Sequence, residues 1–270
     1  MLRGDLVEVI SGINDIPGVD TIGMTTNGLT LTHKKLLSLK EAGLTSVNVS
    51  LDTLVDKKFV EITRRKGLNK VLANIDAACD VLGSENVKIN VVVMKGFNDD
   101  ELASFVRLTK DRDINVRFIE WMPFSDNGWS ADRFLPYSSM IDSIASDSVN
   151  LQSITSEDVS DTTKWWKGRE SETGEEFLGR VGFITSMSSH FCSTCNRIRL
   201  TADGNLKVCL FNGGEVSLRD ILRADEFSIS DLRKIVGTVV REKKEFLGGH
   251  GDMNGIKRDG KNRPMTLIGG

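Results

Sequence analysis

This 270-residue chain is poor in most of the residues that announce a function early. It has three histidines, one tyrosine, four prolines and four cysteines. So few cysteines, three of them clustered, argue against a disulfide framework, and a reducing compartment is expected. No stretch approaches the run of about twenty apolar residues that a membrane-spanning helix needs. The first residues, MLRGDLVEVI, have neither an apolar signal core nor an Arg/Ser-rich transit character. A net charge of −3 gives no global positive field, so neither nucleic acid nor a membrane is expected as partner. There is no GxxxxGK[ST] loop and no GxGxxG after a strand, so any nucleotide is held without a Walker-type cradle.

The first half alternates two periodicities. Helical patterns cover 2–10, 31–42, 67–82 and 99–111, and strand patterns cover 21–26, 46–52 (SVNVSLD), 88–94 (KINVVVM) and 115–122 (NVRFIEWM). This order requires parallel strands with helical crossovers and fits either a doubly wound sheet or part of a (β/α) barrel. In such folds ligands sit beyond the carboxyl ends of the strands. Thr25, Thr26, Asn27, Ser50, Asp52, Met94, Lys95, Glu120 and Met122 fall there. After Pro123 the rhythm changes. A short helix is predicted at 138–145, and the Ser/Asp/Thr-rich stretch 147–162 reads as a mobile surface segment. Strands flank the cysteines, with a hairpin turn at 202–205, and helices follow over 217–223 and 229–246. Cys79 lies on the apolar face of the 67–82 helix, as a small buried hydrophobe.

The densest chemistry is HFCSTCNRIRLTADGNLKVCLF, residues 190–211. Cys192 and Cys195 form a CxxC, and Cys209 follows. Three thiolates are one fewer than a closed structural metal site uses, and an iron–sulfur cluster held by three protein ligands keeps one iron open to substrate. A zinc site completed by His190 fits the same spacing. Arg197 and Arg199 alternate along a predicted strand, so both side chains are expected on one side, suited to phosphate or a purine carbonyl edge. The uncharged LIGG end is slim enough to thread a narrow site.

That block, together with MTTNG (24–28), VNVSLDTL (47–54), VKINVVVM (87–94), VRFIEWMPF (116–124) and the terminal RPMTLIGG, resembles the GTP 3′,8-cyclase family of radical S-adenosylmethionine enzymes. These enzymes act at the first step of molybdenum cofactor synthesis. The resemblance covers essentially the whole chain, and the segment from Phe183 to Phe211 is closest to the eukaryotic, mitochondrial branch. It implies a partial (β/α) barrel over residues 1–135 and a C-terminal [4Fe–4S] cluster and GTP-binding domain over 136–270. It implies Cys192, Cys195 and Cys209 as cluster ligands, and Arg197, Ile198, Arg199, Thr25 and Lys88 as GTP contacts. Ser50 and Met122 would contact S-adenosylmethionine, and Gly269 and Gly270 would reach into the active site and support cyclisation. It further implies an electron donor and a cyclic pyranopterin monophosphate synthase to receive the product. The location would be the mitochondrial matrix in a eukaryote and the cytoplasm otherwise.

The family's second [4Fe–4S] cluster sits on a CxxxCxxC loop, and no such loop occurs in this sequence. Met1 resembles a point just after the family's GGEP strand, so the barrel is expected to lack its first strands. The 270 residues alone are then expected to be catalytically inactive, as a fragment or short isoform. The strand near Thr21 would be an exposed edge, and poor solubility or association, a homodimer being one form, is expected. Two other readings stay open: a non-catalytic GTP-binding iron–sulfur protein and a zinc-stapled interaction module.

Overall fold

A computed structural model describes residues 3–156, 158, 160–211, 214–244, 246–259 and 262–268. It divides into two units. The first comprises 1–120, 134–156 and 163–184, and the second 121–133, 157–162 and 185–270.

In the first unit, α1 (Leu6–Asn14), β1 (Gly23–Thr26), α2 (His33–Glu41), β2 (Ser46–Ser50), α3 (Asp56–Thr63), α4 (Leu68–Leu82), β3 (Val87–Val93), α5 (Leu102–Arg107), β4 (Asn115–Glu120), α6 (Tyr137–Ser146), β5 (Val149–Ile154), β6 (Lys164–Glu170) and β7 (Arg180–Ile184) follow one another. The seven strands form one sheet in the order β1-β2-β3-β4-β7-β6-β5. The β1–β2, β2–β3, β3–β4 and β4–β7 pairs are parallel, whereas β5–β6 and β6–β7 are antiparallel. The fold is therefore mixed α/β with a parallel-rich sheet, and β1 forms one edge of it.

Local sequence explains these elements. In α4, Leu68, Val71, Ile75, Ala78 and Leu82 recur at helical spacing and are all buried. The Thr32 hydroxyl accepts from Lys35 N–H at 3.4 Å and caps α2, while Leu36 and Leu39 of that helix are fully buried. Along β3, Val87, Ile89, Val91 and Val93 are buried and alternate with half-buried Lys88, Asn90 and Val92. Parallel strands covered on both faces carry near-continuous apolar runs. This alternation instead leaves a polar face, opposite a core that joins Val49, Val71, Ile75, Ile89, Phe105 and Phe118. Phe118 lies 5.5 Å from Phe183 and meets Phe105 edge-on at 6.3 Å.

Two sequence expectations for this unit are corrected. Residues 147–162 do not form one mobile segment: Val149–Ile154 is strand β5, in register with Trp165–Glu170 of β6. The helix expected over 99–111 is a 3₁₀ turn (Asp99–Glu101) followed by the short α5. Its break coincides with the buried Glu101 carboxylate, which turns away to accept from Thr53 Oγ1 at 2.8 Å, Leu54 N–H at 2.6 Å and Lys58 Nζ at 2.9 Å. Helix α3 had no sequence expectation at all.

In the second unit, β8 (Arg199–Leu200), β9 (Asn205–Lys207) and β10 (Val216–Ser217) form an antiparallel sheet in the order β10-β9-β8. Helices α7 (Leu218–Leu222), α8 (Ile229–Arg241) and α9 (Met253–Asp259) follow. The hairpin expected at 202–205 is present, and Gly204 at φ +84° lies in its turn. Helix α8 ends at Arg241, five residues before the expected 246.

Candidate functional site

Cys192 opens a 3₁₀ turn (Cys192–Thr194), Cys195 follows it, and Cys209 comes two residues after β9. Backbone and side chains supply hydrogen bonds to two of the sulfurs. Leu247 N–H donates to Cys192 Sγ at 3.4 Å, and Lys243 Nζ donates to Cys195 Sγ at 3.3 Å. Burial pushes the Cys192 thiol up, the Leu247 amide opposes that, and the neighbouring Cys209 and Cys195 push it further up. Burial also acts upward on Cys195, but the Arg197 amide and the Lys243 ammonium outweigh it and hold that thiol below its usual range.

Among the described residues no three His, Cys, Asp or Glu side chains form a group that could hold a single metal ion. His190 packs edge-on against Phe246, with ring centres 5.3 Å apart. The chemistry of the donors suits a thiophilic cluster: Cys192 feels the charge of Cys195 and Cys209, and an amide and an ammonium donate hydrogen bonds to sulfur.

The arginines are arranged less symmetrically than their alternation implies. Arg199 lies in β8, while Arg197 precedes the strand and donates from Nη1 to the buried Thr162 hydroxyl at 2.6 Å. Burial lowers the Arg199 guanidinium pKa, and the like charge of Arg197 lowers it further. Two cations are thus held close enough to repel, an arrangement suited to an anion. Ile198 between them is half exposed. Lys243 ties this segment to the sulfurs, because its ammonium also donates to the Cys195 carbonyl at 2.5 Å and to the Arg197 carbonyl at 3.0 Å. Neither Lys243 nor Thr162 was legible as a site residue, since no local motif links either to the cysteines.

Thr25, Ser50 and Lys88 belong to the first unit and line the polar face of its sheet. Thr25 accepts from Asn48 Nδ2 at 3.3 Å. Arg117 donates from Nη2 to Asn48 Oδ1 and from Nε to Asn90 Oδ1, both at 2.9 Å. Ser50 is exposed and sits in register with Asn90, and Lys88 is half-buried two residues before Asn90. Sequence reading missed Asn48, Asn90 and Arg117. Their signal was present as alternating polar residues through β2 and the first halves of β3 and β4 (S46–N48–S50, K88–N90, N115–R117). Just beyond β2, Asp52 Oδ1 accepts from Val92 N–H at 2.8 Å, and burial raises its pKa to about 6.

Met122 belongs to the second unit, where its carbonyl accepts from Asn127 Nδ2 at 2.7 Å. Gly269 and Gly270 lie outside the described residues.

Comparison with known proteins then decides the family. The Radical SAM superfamily profile matches residues 1–109, and the Molybdenum Cofactor Synthesis C profile matches residues 114–247. The chain is 48% identical over 269 residues to mouse "Molybdenum cofactor biosynthesis protein 1", covering all of this chain and 40% of that protein. The chain belongs to the molybdenum cofactor biosynthesis branch of the radical SAM superfamily. It is also 46% identical to "GTP 3′,8-cyclase, mitochondrial" of Arabidopsis thaliana, covering all of this chain and 65% of that protein. The match to "GTP 3′,8-cyclase" of Pelotomaculum thermopropionicum is 41% over 224 residues, 83% of this chain and 66% of that one. The chain therefore spans less than two thirds of the length of these relatives. The boundary between the two matched profiles falls between α5 and β4.

Proposed function

We propose that this chain is the part of a GTP 3′,8-cyclase that grips the nucleotide, acting at the first step of molybdenum cofactor biosynthesis. The observation that carries the reading is one segment, 192–209, that holds three cysteines and two arginines and is tied together by Lys243, which donates to both Cys195 Sγ and the Arg197 carbonyl. Cys192, Cys195 and Cys209 would hold a [4Fe–4S] cluster. When bound, such a cluster supplies an open iron for a purine, while the cluster typical of the superfamily supplies the electron that starts radical chemistry from S-adenosylmethionine.

The chain's own residues bind and orient. Arg199, partly desolvated, offers the stronger charge-assisted hydrogen bonds to GTP, and Arg197 and Ile198 flank it. Lys243 and the Leu247 amide orient and stabilise the thiolates. On the first unit's polar face, Thr25, Lys88 and Arg117 supply contacts for nucleotide and phosphate, with Asn48 and Asn90 fixing the Arg117 fork. A reaction confined to ribose and base needs the phosphates only as an anchor, which scattered Lys and Arg provide without a Walker loop. Ser50 and Met122 are assigned to S-adenosylmethionine, and Gly269 and Gly270 to support of cyclisation. The wider reading includes an electron donor, delivery of product to a cyclic pyranopterin monophosphate synthase, a homodimer and residence in the mitochondrial matrix. The name of the Arabidopsis relative favours that location.

Metal analysis after anaerobic reconstitution tests the core of this reading. About four irons and four sulfides per chain, lost on Cys192→Ala, are expected. Stoichiometric zinc bound in place of iron would defeat it.

A further inference from the structure

Residues 262–268 form a tail after α9. Asn262 and Ile268 at its two ends are only 2% and 1% exposed. Between them Arg263 makes a forked contact. Its Nη2 donates to Asp203 Oδ2 at 2.7 Å, and its Nη1 donates to Glu215 Oε2 at 2.9 Å and to Asp203 Oδ1 at 3.3 Å. Both acceptors belong to the small antiparallel sheet. Asp203 is in the β8–β9 turn, and Glu215 immediately precedes β10.

The two carboxylates are themselves prearranged. Thr201 Oγ1 donates to Asp203 Oδ1 at 2.5 Å, and Asn205 Nδ2 bridges Asp203 Oδ2 and Glu215 Oε2 at 3.2 Å each. The fully buried Lys207 stands 3.7 Å from Glu215 on the side away from Arg263's contact, at Oε1. The Arg263 and Thr201 contacts hold the Asp203 carboxyl well below the usual carboxylate range. A planar fork engaging two preorganised carboxylates fixes orientation as well as distance, which a lysine at the same position does not do.

We infer that Arg263 is a positioning residue that sets the register of the 262–268 tail on the hairpin bearing Arg199 and leading to Cys209. The link to the nucleotide site rests on the function proposed above; the clamp itself stands on these contacts alone. Arg263 does not contact substrate. It acts by holding the tail against the strands that carry the arginine and cysteine.

The test is amide hydrogen exchange of the whole chain, first without ligand and then in a GTP titration. Arg263→Gln is expected to speed exchange at 265–268 on the order of fivefold, as loss of a partly exposed ion pair allows. Amides of β8 and β9 keep their rates, which separates loss of register from general unfolding. Arg263→Lys falls between wild type and Arg263→Gln. The charge-reversed pair, Arg263→Asp with Asp203→Arg, recovers protection relative to either single change. GTP affinity of Arg263→Gln stays within about twofold of wild type, since the side chain is not a ligand. Unchanged tail exchange in Arg263→Gln overturns the inference, and so does equal loosening of tail and hairpin. A GTP affinity that collapses in Arg263→Gln while tail exchange stays at the wild-type rate makes the residue a substrate ligand and also overturns it. Failure of the wild-type chain to bind GTP removes the proposed function and leaves the exchange result to judge the clamp.

Discussion

The ammonium of Lys243 lies 3.3 Å from Cys195 Sγ and donates at the same time to the carbonyls of Cys195 and Arg197. One side chain thereby fixes both the thiolate and the backbone entering the arginine segment. Hydrogen-bond partners of metal ligands typically contribute 10- to 100-fold in metal affinity. Lys243→Met is expected to lower iron retention under chelator challenge by roughly that factor while leaving the fold intact by circular dichroism. Retention equal to wild type would show that the ammonium is incidental to the cysteines.

Arg117 is the hub of the polar face, bonded to Asn48 and to Asn90. Charged hydrogen bonds of this kind contribute about 1.5–3 kcal/mol. Arg117→Met should therefore lower unfolding free energy by about 1–3 kcal/mol in urea. Combined with Asn48→Val, the two losses should be less than additive, with a coupling of about 0.5 kcal/mol or more. Strict additivity would mean that the contact contributes nothing.

Asp52 gives a pH signature. Its folded pKa, raised to about 6 by burial, lies above the ordinary carboxylate value. Between the unfolded and folded values the native state binds more protons, so the contribution of this group to stability is greatest at low pH and is lost as pH rises through about 6. Asp52→Asn keeps an acceptor for the Val92 amide without the charge. It should be more stable than wild type at pH 7–8 by about 1–3 kcal/mol, with the difference vanishing near pH 4. A pH-independent difference between the two proteins would contradict the assignment.

Of the two arginines, Arg199 is the more buried, and burial and the nearby Arg197 charge lower its pKa. Arg199→Ala should weaken GTP binding by about 1.5–3 kcal/mol, the usual contribution of a charged hydrogen bond. Arg197, whose guanidinium is exposed and bonded to Thr162, should cost less. Isothermal titration of both variants decides the order, and the reverse ranking would displace Arg199 from the centre of the site.

Strands β1 to β4 were legible because helical patterns alternate with them, as Val71, Ile75 and Ala78 show in α4. The β5–β6 pair was not. The polar NLQSI of β5 has too little apolar content to stand out, and its pairing with β6 ten residues later is fixed by tertiary register rather than by a tight turn. The cysteines and arginines were visible as a motif. The residues that hold them in place came from far along the chain: Lys243 and Leu247 for the sulfurs, Thr162 for Arg197, and Arg263 for the hairpin. Spacing within a motif carries no information about such partners. The polar face was written in the alternation of β2–β4, which resembles a half-solvated strand until the neighbouring strands align Asn48, Asn90 and Arg117.

The most direct test of the central claim is GTP affinity measured anaerobically for the iron-reconstituted chain and for Cys209→Ser prepared identically. If the three thiols hold a cluster that shares the purine with Arg199, the wild-type chain binds GTP at least about tenfold more tightly, the ratio expected for losing one well-made polar contact. Equal affinities would contradict the account.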